Sequence, residues 1–181
     1  MRRTDIGYAR RYKSGLESRP SMKESTRRNW FLALCVIALL HTGAHVSQAF
    51  VNYPAWHLIE AESFKPYHWA ITLRAGLFLA LPRLVELALG LIVLRFRPAA
   101  IAPWVIPVGL ALAFGALLST MFLSRPVHAQ LDIQGNTPEL LARLMTTDWV
   151  RNALEWLRTA LYVWALAGLM RRDLRHTNVT A

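Results

Sequence analysis

Apolar residues in this chain gather into long blocks, with none of the alternation of a strand. Four windows, approximately Trp30 to Phe50, Trp69 to Leu94, Ile101 to Leu123 and Trp149 to Met170, are dominated by Leu, Ala, Val, Ile and aromatic residues. Each is long enough to supply the roughly 20 helical residues that cross a hydrocarbon core of about 30 Å. A Trp stands near the start of each, at Trp30, Trp69, Trp104 and Trp149, where an interfacial anchor belongs. The pattern predicts an all-α fold, an integral membrane four-helix bundle over residues 30–170. A basic cytoplasmic tail is expected at 1–29 and another at 171–181.

Breaks between the blocks refine this picture. Arg95-Phe96-Arg97-Pro98 reads as a tight hairpin, and Pro103 and Pro107 fall near the start of the third span, where proline disturbs a helix least. Asn136-Thr137-Pro138-Glu139 reads as an N-cap, a proline at the first helical position and an acid in the first turn. It predicts a short amphipathic helix in the outer loop before the last span, with Leu140, Leu141, Leu144 and Met145 on one side.

Polar residues inside the spans carry the chemistry. Asp148, Arg151, Glu155 and Arg158 are spaced i, i+3, i+7 and i+10, within about 80° of one another on a helix. Such a stripe cannot face lipid, because a charge in hydrocarbon costs at least about 2.5 to 3.5 kcal/mol. His41, His45, Gln48 and Asn52 share one face of the first span; at 1.5 Å per residue from Trp30, His41 lies about 16 Å deep and His45 about 22 Å. The second span adds Arg83 and Glu86 beside Pro82, a proline expected to kink the helix. These depths overlap, so a pocket is expected in the outer half of the bundle. His41, His45, Glu86, Glu155 and Arg158 would line it, under a lid of Arg125, His128 and the amphipathic helix. A structural ion-pair network among Arg83, Glu86, Arg151, Glu155 and Arg158 accounts for the same charges.

A His-x-x-x-His pair puts two imidazoles one turn apart on one face, close enough to share a redox metal such as iron or copper, or zinc. Haem fits the pair poorly, because axial ligands approach from opposite faces and no second His lies deep in the other spans. His57, Glu60, Glu62 and His68 read as solvated residues of the first outer loop. Arg74 reads as snorkelling to the interface.

Net charge is +10 and unevenly placed: nine Lys or Arg precede Trp30. Arg95, Arg97, Arg171, Arg172 and Arg175 follow the second and fourth spans, so both termini are expected in the cytoplasm. The basic tail suits anionic membrane lipid better than nucleic acid, and no nucleic-acid partner is expected. The first span also resembles a secretory signal peptide with a small-x-small site at Ser47-Gln48-Ala49, which gives a rival reading of residues 1–49. Cys35, the single cysteine, rules out an intramolecular disulfide.

The segments Tyr53-Pro54-Ala55-Trp56, Tyr67-His68, Arg125-Pro126-Val127-His128-Ala129-Gln130-Leu131 and Asp148-Trp149-Val150-Arg151, with Trp156 and Arg158, carry a family likeness. Over residues 30–170 the chain resembles the small four-helix bacterial membrane proteins related to fungal anthrone oxygenases. The resemblance implies an inner-membrane oxygenase or oxidase acting on a lipophilic, oxidisable aromatic. It carries over His128, Trp149, Arg151 and Arg158. The chain departs from the pattern at Asp148, where an amide residue is expected, at Glu155, and in its His41/His45 pair.

The functional expectation is a membrane oxidoreductase or oxygenase. Its candidate catalytic residues are Glu155, Arg158, Arg151, Glu86 and His128, and its candidate metal ligands are His41 and His45. The alternative is a non-catalytic membrane subunit or small-molecule binding protein, with a partner membrane subunit and a structural charge network.

Overall fold

The computed structural model describes residues 22–179, with side chains described through residue 172. Residues 1–21 and 180–181 lie outside the described residues, and with them most of the expected N-terminal basic tail, the opening of the signal-peptide reading and the end of the C-terminal tail.

All regular structure among the described residues is helical. Helix α1 is Glu24–Ser47, α2 is Ala61–Arg95, α3 is Val105–Ser119, α4 is Arg125–Gln134 and α5 is Pro138–Val179. Helix α1 continues through a π turn, Gln48–Asn52, and two short turns to Leu58, and α3 passes through a second π turn, Thr120–Ser124, into α4. Four helical rods result among the described residues. Three of them, Glu24–Leu58, Ala61–Arg95 and Val105–Gln134, are long and apolar enough to cross a membrane. Helix α5 is long enough at 42 residues but less apolar, because Asp148, Arg151, Glu155 and Arg158 lie along it. Its place is set by burial: α5 packs along α3 and α1, and α1 packs on α2.

Two expectations change. The amphipathic segment at 138–147 is no separate helix but the opening of α5, since nothing between Met145 and Trp149 breaks an α-helix. Residues 125–134, expected as loop, form α4. Helix α2 runs through Pro66 and Pro82 as α-helix.

The two π turns have a shared cause. A proline ring presses on the carbonyl four residues back, and widening that turn by one residue relieves the contact. The backbone N–H of Tyr53, just before Pro54, bonds the Gln48 carbonyl five residues back; that of Arg125, just before Pro126, bonds Thr120 in the same way. Past α4 the chain reverses at Gly135, whose φ of 83° and ψ of −169° favour glycine. Thr137 Oγ1 accepts from the Leu140 N–H as the cap of α5, while Asn136 Nδ2 donates to the Trp56 and Ile59 carbonyls at 2.9 and 2.8 Å. Asn136 thus fastens the end of the first rod to the α4–α5 corner.

Two apolar cores bracket a buried polar layer. One holds Phe31, Leu34, Cys35, Val105, Ile106 and Tyr162; the other holds Tyr53, Trp56, Phe64, Val127, Leu131 and Leu144. Between them Glu155 and Arg158 are each 0% exposed, whereas Phe78 is 77% and Phe122 73% exposed on the outside. Charges inside and large apolar residues outside invert the usual distribution of a water-soluble protein.

Close packing of α3 on α5 centres on Gly109, against which the Tyr162 ring lies so tightly that an added Cβ would overlap it. Tyr162 is buried and held edge-on by Phe31, so it cannot swing clear. Gly109→Ala is expected to cost about 1 to 3 kcal/mol through overpacking and to lower the melting temperature. Gly115→Ala, whose Cβ would meet Leu154 at an ordinary 3.5 Å, should leave it unchanged or raise it. Thermal melts of both variants in one detergent check this.

Candidate functional site

The polar layer is built from ion pairs made both within and between helices. Glu86 on α2 accepts from Arg83 at 2.7 Å and from Arg158 of α5 at 2.9 Å. Glu155 pairs with Arg158 at 2.6 Å and with Arg83 of α2. The four side chains therefore form a closed ring of two cations and two anions between α2 and α5. Arg158 extends it to α1, donating to the Ala38 carbonyl at 3.0 Å and to Thr42 Oγ1 at 2.8 Å. Thr42 and Thr159 share a further hydrogen bond at 2.8 Å.

One turn away, Arg151 pairs with Asp148, which also accepts from Asn152 at 2.8 Å. The stripe of four charges on α5 thus divides into two groups. Arg83, rather than Arg151, completes the pairing of Glu155.

His41 and His45 lie against this ring, both buried, with ring centroids 4.6 Å apart and nearly perpendicular. His41 Nε2 lies 3.0 Å from the Leu79 carbonyl. A carbonyl only accepts, so Nε2 carries the hydrogen and Nδ1 of a neutral ring carries a lone pair. That Nδ1 lies 3.5 Å from Glu155 Oε2 and 4.0 Å from Glu86 Oε2, also lone-pair bearers. Nδ1 of His45 is buried with no hydrogen-bond partner. Three basic groups, His41, His45 and Glu155, thus converge with ligand atoms within 4.8 Å of one another. Ligand atoms about 2.0 to 2.2 Å from a metal sit roughly 3.3 Å apart in a tetrahedral shell, so small side-chain rotations would close the set.

Beside the histidines lies a cavity of about 360 Å³. Its walls are mostly apolar, with Ile71, Leu79, Leu84, Leu117 and Met121, and with Ala75, Gly76 and Ala80 leaving room along α2. Tyr53 and Trp56 add aromatic surface to the lining. His41, His45, Arg83, Arg125, His128 and Arg151 present imidazole and guanidinium groups to it.

The lining of this cavity shares His41 and His45 with the expected set and differs in the rest. Glu86, Glu155 and Arg158 stand behind the wall, not in it, because a carboxylate in a low-dielectric interior turns toward its cations. Arg83 replaces them at the surface. The expected lid also differs: Arg125 and His128 belong to α4, while the 138–147 segment packs on the aromatic core of the α4 end and does not line the cavity.

His57, Glu60, Glu62 and Arg74 are exposed, as expected. His68 is not a solvated loop residue. It sits inside α2, 0% exposed, with Nδ1 2.7 Å from Asp132 Oδ1 and Nε2 3.0 Å from His128 Nδ1. Its helical neighbours Phe64 and Thr72, one turn to either side, gave the available signal for an inward face, as did His128 and Asp132 at i, i+4 on α4.

Comparison with protein families, with curated proteins and with solved structures finds no match.

The closed ring makes a stability prediction. Glu155→Gln leaves Arg83 and Arg158 with one carboxylate between them, at a cost on the order of 3 to 5 kcal/mol. A melting temperature several degrees or more below that of the parent is expected. Arg74→Gln, on the exposed face, should melt as the parent does.

Proposed function

We propose that this chain is a multi-pass membrane oxidoreductase of the oxygenase type, which admits a lipophilic small molecule from the bilayer to its cavity and acts on it at a metal held by His41, His45 and Glu155. The observation that carries the reading is the ligand set. Two histidines and one carboxylate with open positions form the donor pattern used for non-haem Fe(II) oxygen chemistry. Here that set lies beside an apolar cavity whose volume falls in the range of small-molecule sites. Iron there would supply dioxygen activation. The chain's own residues bind and orient: the apolar walls take the body of the substrate, and Arg83 and Arg151 face its polar end. His128 offers a base, and Tyr53 and Trp56 exclude water. The resemblance to anthrone-oxygenase-related proteins points to a lipophilic aromatic as substrate.

The charge distribution supports a membrane bundle with four spans, α5 crossing with its charges turned inward and both termini in the cytoplasm of a bacterial cell. Such a protein presents Leu and Phe to lipid and keeps ionisable groups paired inside. A second reading, a non-catalytic binding subunit, draws on a specific observation: every member of the Arg83–Glu86–Glu155–Arg158 ring already has a partner. The two differ at the metal.

Full-length protein purified in detergent and loaded with Fe(II) is expected to retain about one equivalent per chain by elemental analysis, and His41→Ala or His45→Ala to lose it without loss of fold. Well-folded parent protein that retains no metal overturns the oxygenase reading and leaves the binding subunit. Orientation is checked separately by cysteine labelling in a Cys35→Ala background. A cysteine at Ser63 should react from outside intact cells, and one at Ala99 only after permeabilisation.

A further inference from the structure

The proposed function takes His128 as a base but does not use His68 or Asp132, and with both rings neutral the chain Asp132–His68–His128 has one proton order. Asp132 is 46% exposed at its side chain, His68 is 0% exposed and His128 lines the cavity, so the three run from the molecular surface to the cavity wall. An ionised carboxylate only accepts, so the 2.7 Å contact places a hydrogen on His68 Nδ1. In a neutral ring His68 Nε2 is then a lone pair, with Thr72 Oγ1 at 3.4 Å and His128 Nδ1 at 3.0 Å, and the shorter contact places a hydrogen on His128 Nδ1. The remaining nitrogen, His128 Nε2, is left as a lone pair. The two rings lie within 19° of parallel, and Phe64 stacks on His68 at 5.4 Å, which restrains that ring.

We propose that Asp132, His68 and His128 form a proton relay that makes His128 Nε2 the base of the cavity and connects it to water at the α4 end. The ligand it fits is an apolar molecule with an acidic hydroxyl, such as a phenol. The proton balance is complete within these groups. The ligand O–H proton passes to His128 Nε2, the Nδ1 proton of His128 passes to His68 Nε2, and the Nδ1 proton of His68 passes to Asp132 and then to solvent. Arg125 and Arg151 line the same cavity and stabilise the oxyanion that remains. Asp132 and His68 are positioning residues, since only His128 meets the ligand. Nothing in this requires a metal at His41 and His45, so the relay and the metal site stand or fall separately.

Two measurements on the full-length chain test the relay. The first is nitrogen NMR of histidine-labelled protein in detergent near neutral pH, with signals assigned by their loss in single His→Gln variants. Both His68 and His128 are expected with a protonated Nδ1 and a bare Nε2. A hydrogen on His128 Nε2 overturns the proposal, and this result needs no altered relay. The second is the rate of carbethoxylation by diethylpyrocarbonate, read by mass spectrometry with exposed His57 as internal reference. His128 should react, and Asp132→Asn should slow it about tenfold, by analogy with the lower end of what loss of its hydrogen-bond partner costs a metal-bound imidazole. His57 should be unaffected. An unreactive His128, or one whose rate ignores Asp132→Asn, overturns the relay.

Discussion

Removing four charges from water is the constraint on which the rest of this structure depends. Arg83, Glu86, Glu155 and Arg158 are all buried, Arg83 alone keeping an edge on the cavity, and each unpaired would cost several kcal/mol. They are tolerable only as a set with opposite charges alternating. Their helices can meet that condition in one relative rotation and one relative height, so the ring fixes the register of α5 against α2. Arg158 adds α1 through the Ala38 carbonyl and Thr42. An apolar interface of Leu and Ala would have permitted sliding; a closed charge ring does not.

The same ring presents the histidines. Residues 38 and 42 of α1 face Arg158, so His41 and His45, three residues on from each, turn toward the cavity side of that contact. The prolines then shape the other end. Pro54 and Pro126 each force a widened turn, and those turns deliver Tyr53, Trp56 and His128 to the cavity mouth. Register at one end and π turns at the other leave a space between them lined by small residues of α2. The chemistry proposed for this space uses groups that the fold already holds in place.

Much of this was legible in the chain. The stripe Asp148, Arg151, Glu155, Arg158 follows from helical spacing alone, as do the shared face of His41 and His45 and the inward turn of Arg83 and Glu86. What spacing cannot give is which arginine meets which carboxylate, because that depends on the rotation of one helix against another. Arg151 therefore read as a member of one network with Glu155, when Arg83 from α2 pairs with Glu155 and Arg151 closes on Asp148. Whether a carboxylate lines a pocket or stands behind its wall is likewise a property of packing. His68 was obscured by a boundary: the second apolar window begins at Trp69, whereas α2 begins two turns earlier at Ala61. The segment 125–134 looked like loop because its residues are polar, yet Val127 and Leu131 supply the one apolar face a helix needs against Tyr53 and Leu144.

The interhelical contact between Glu86 and Arg158 tests the central claim most directly, since these residues lie far apart in sequence and meet only if the ring forms. A double-mutant cycle of Glu86→Gln and Arg158→Met, followed by reversible unfolding in one detergent, measures their coupling. The account predicts at least about 1.5 kcal/mol, as for close buried charge pairs. Effects that add to within about 0.5 kcal/mol would mean that the two do not interact, and would contradict the ring as the element that sets the bundle.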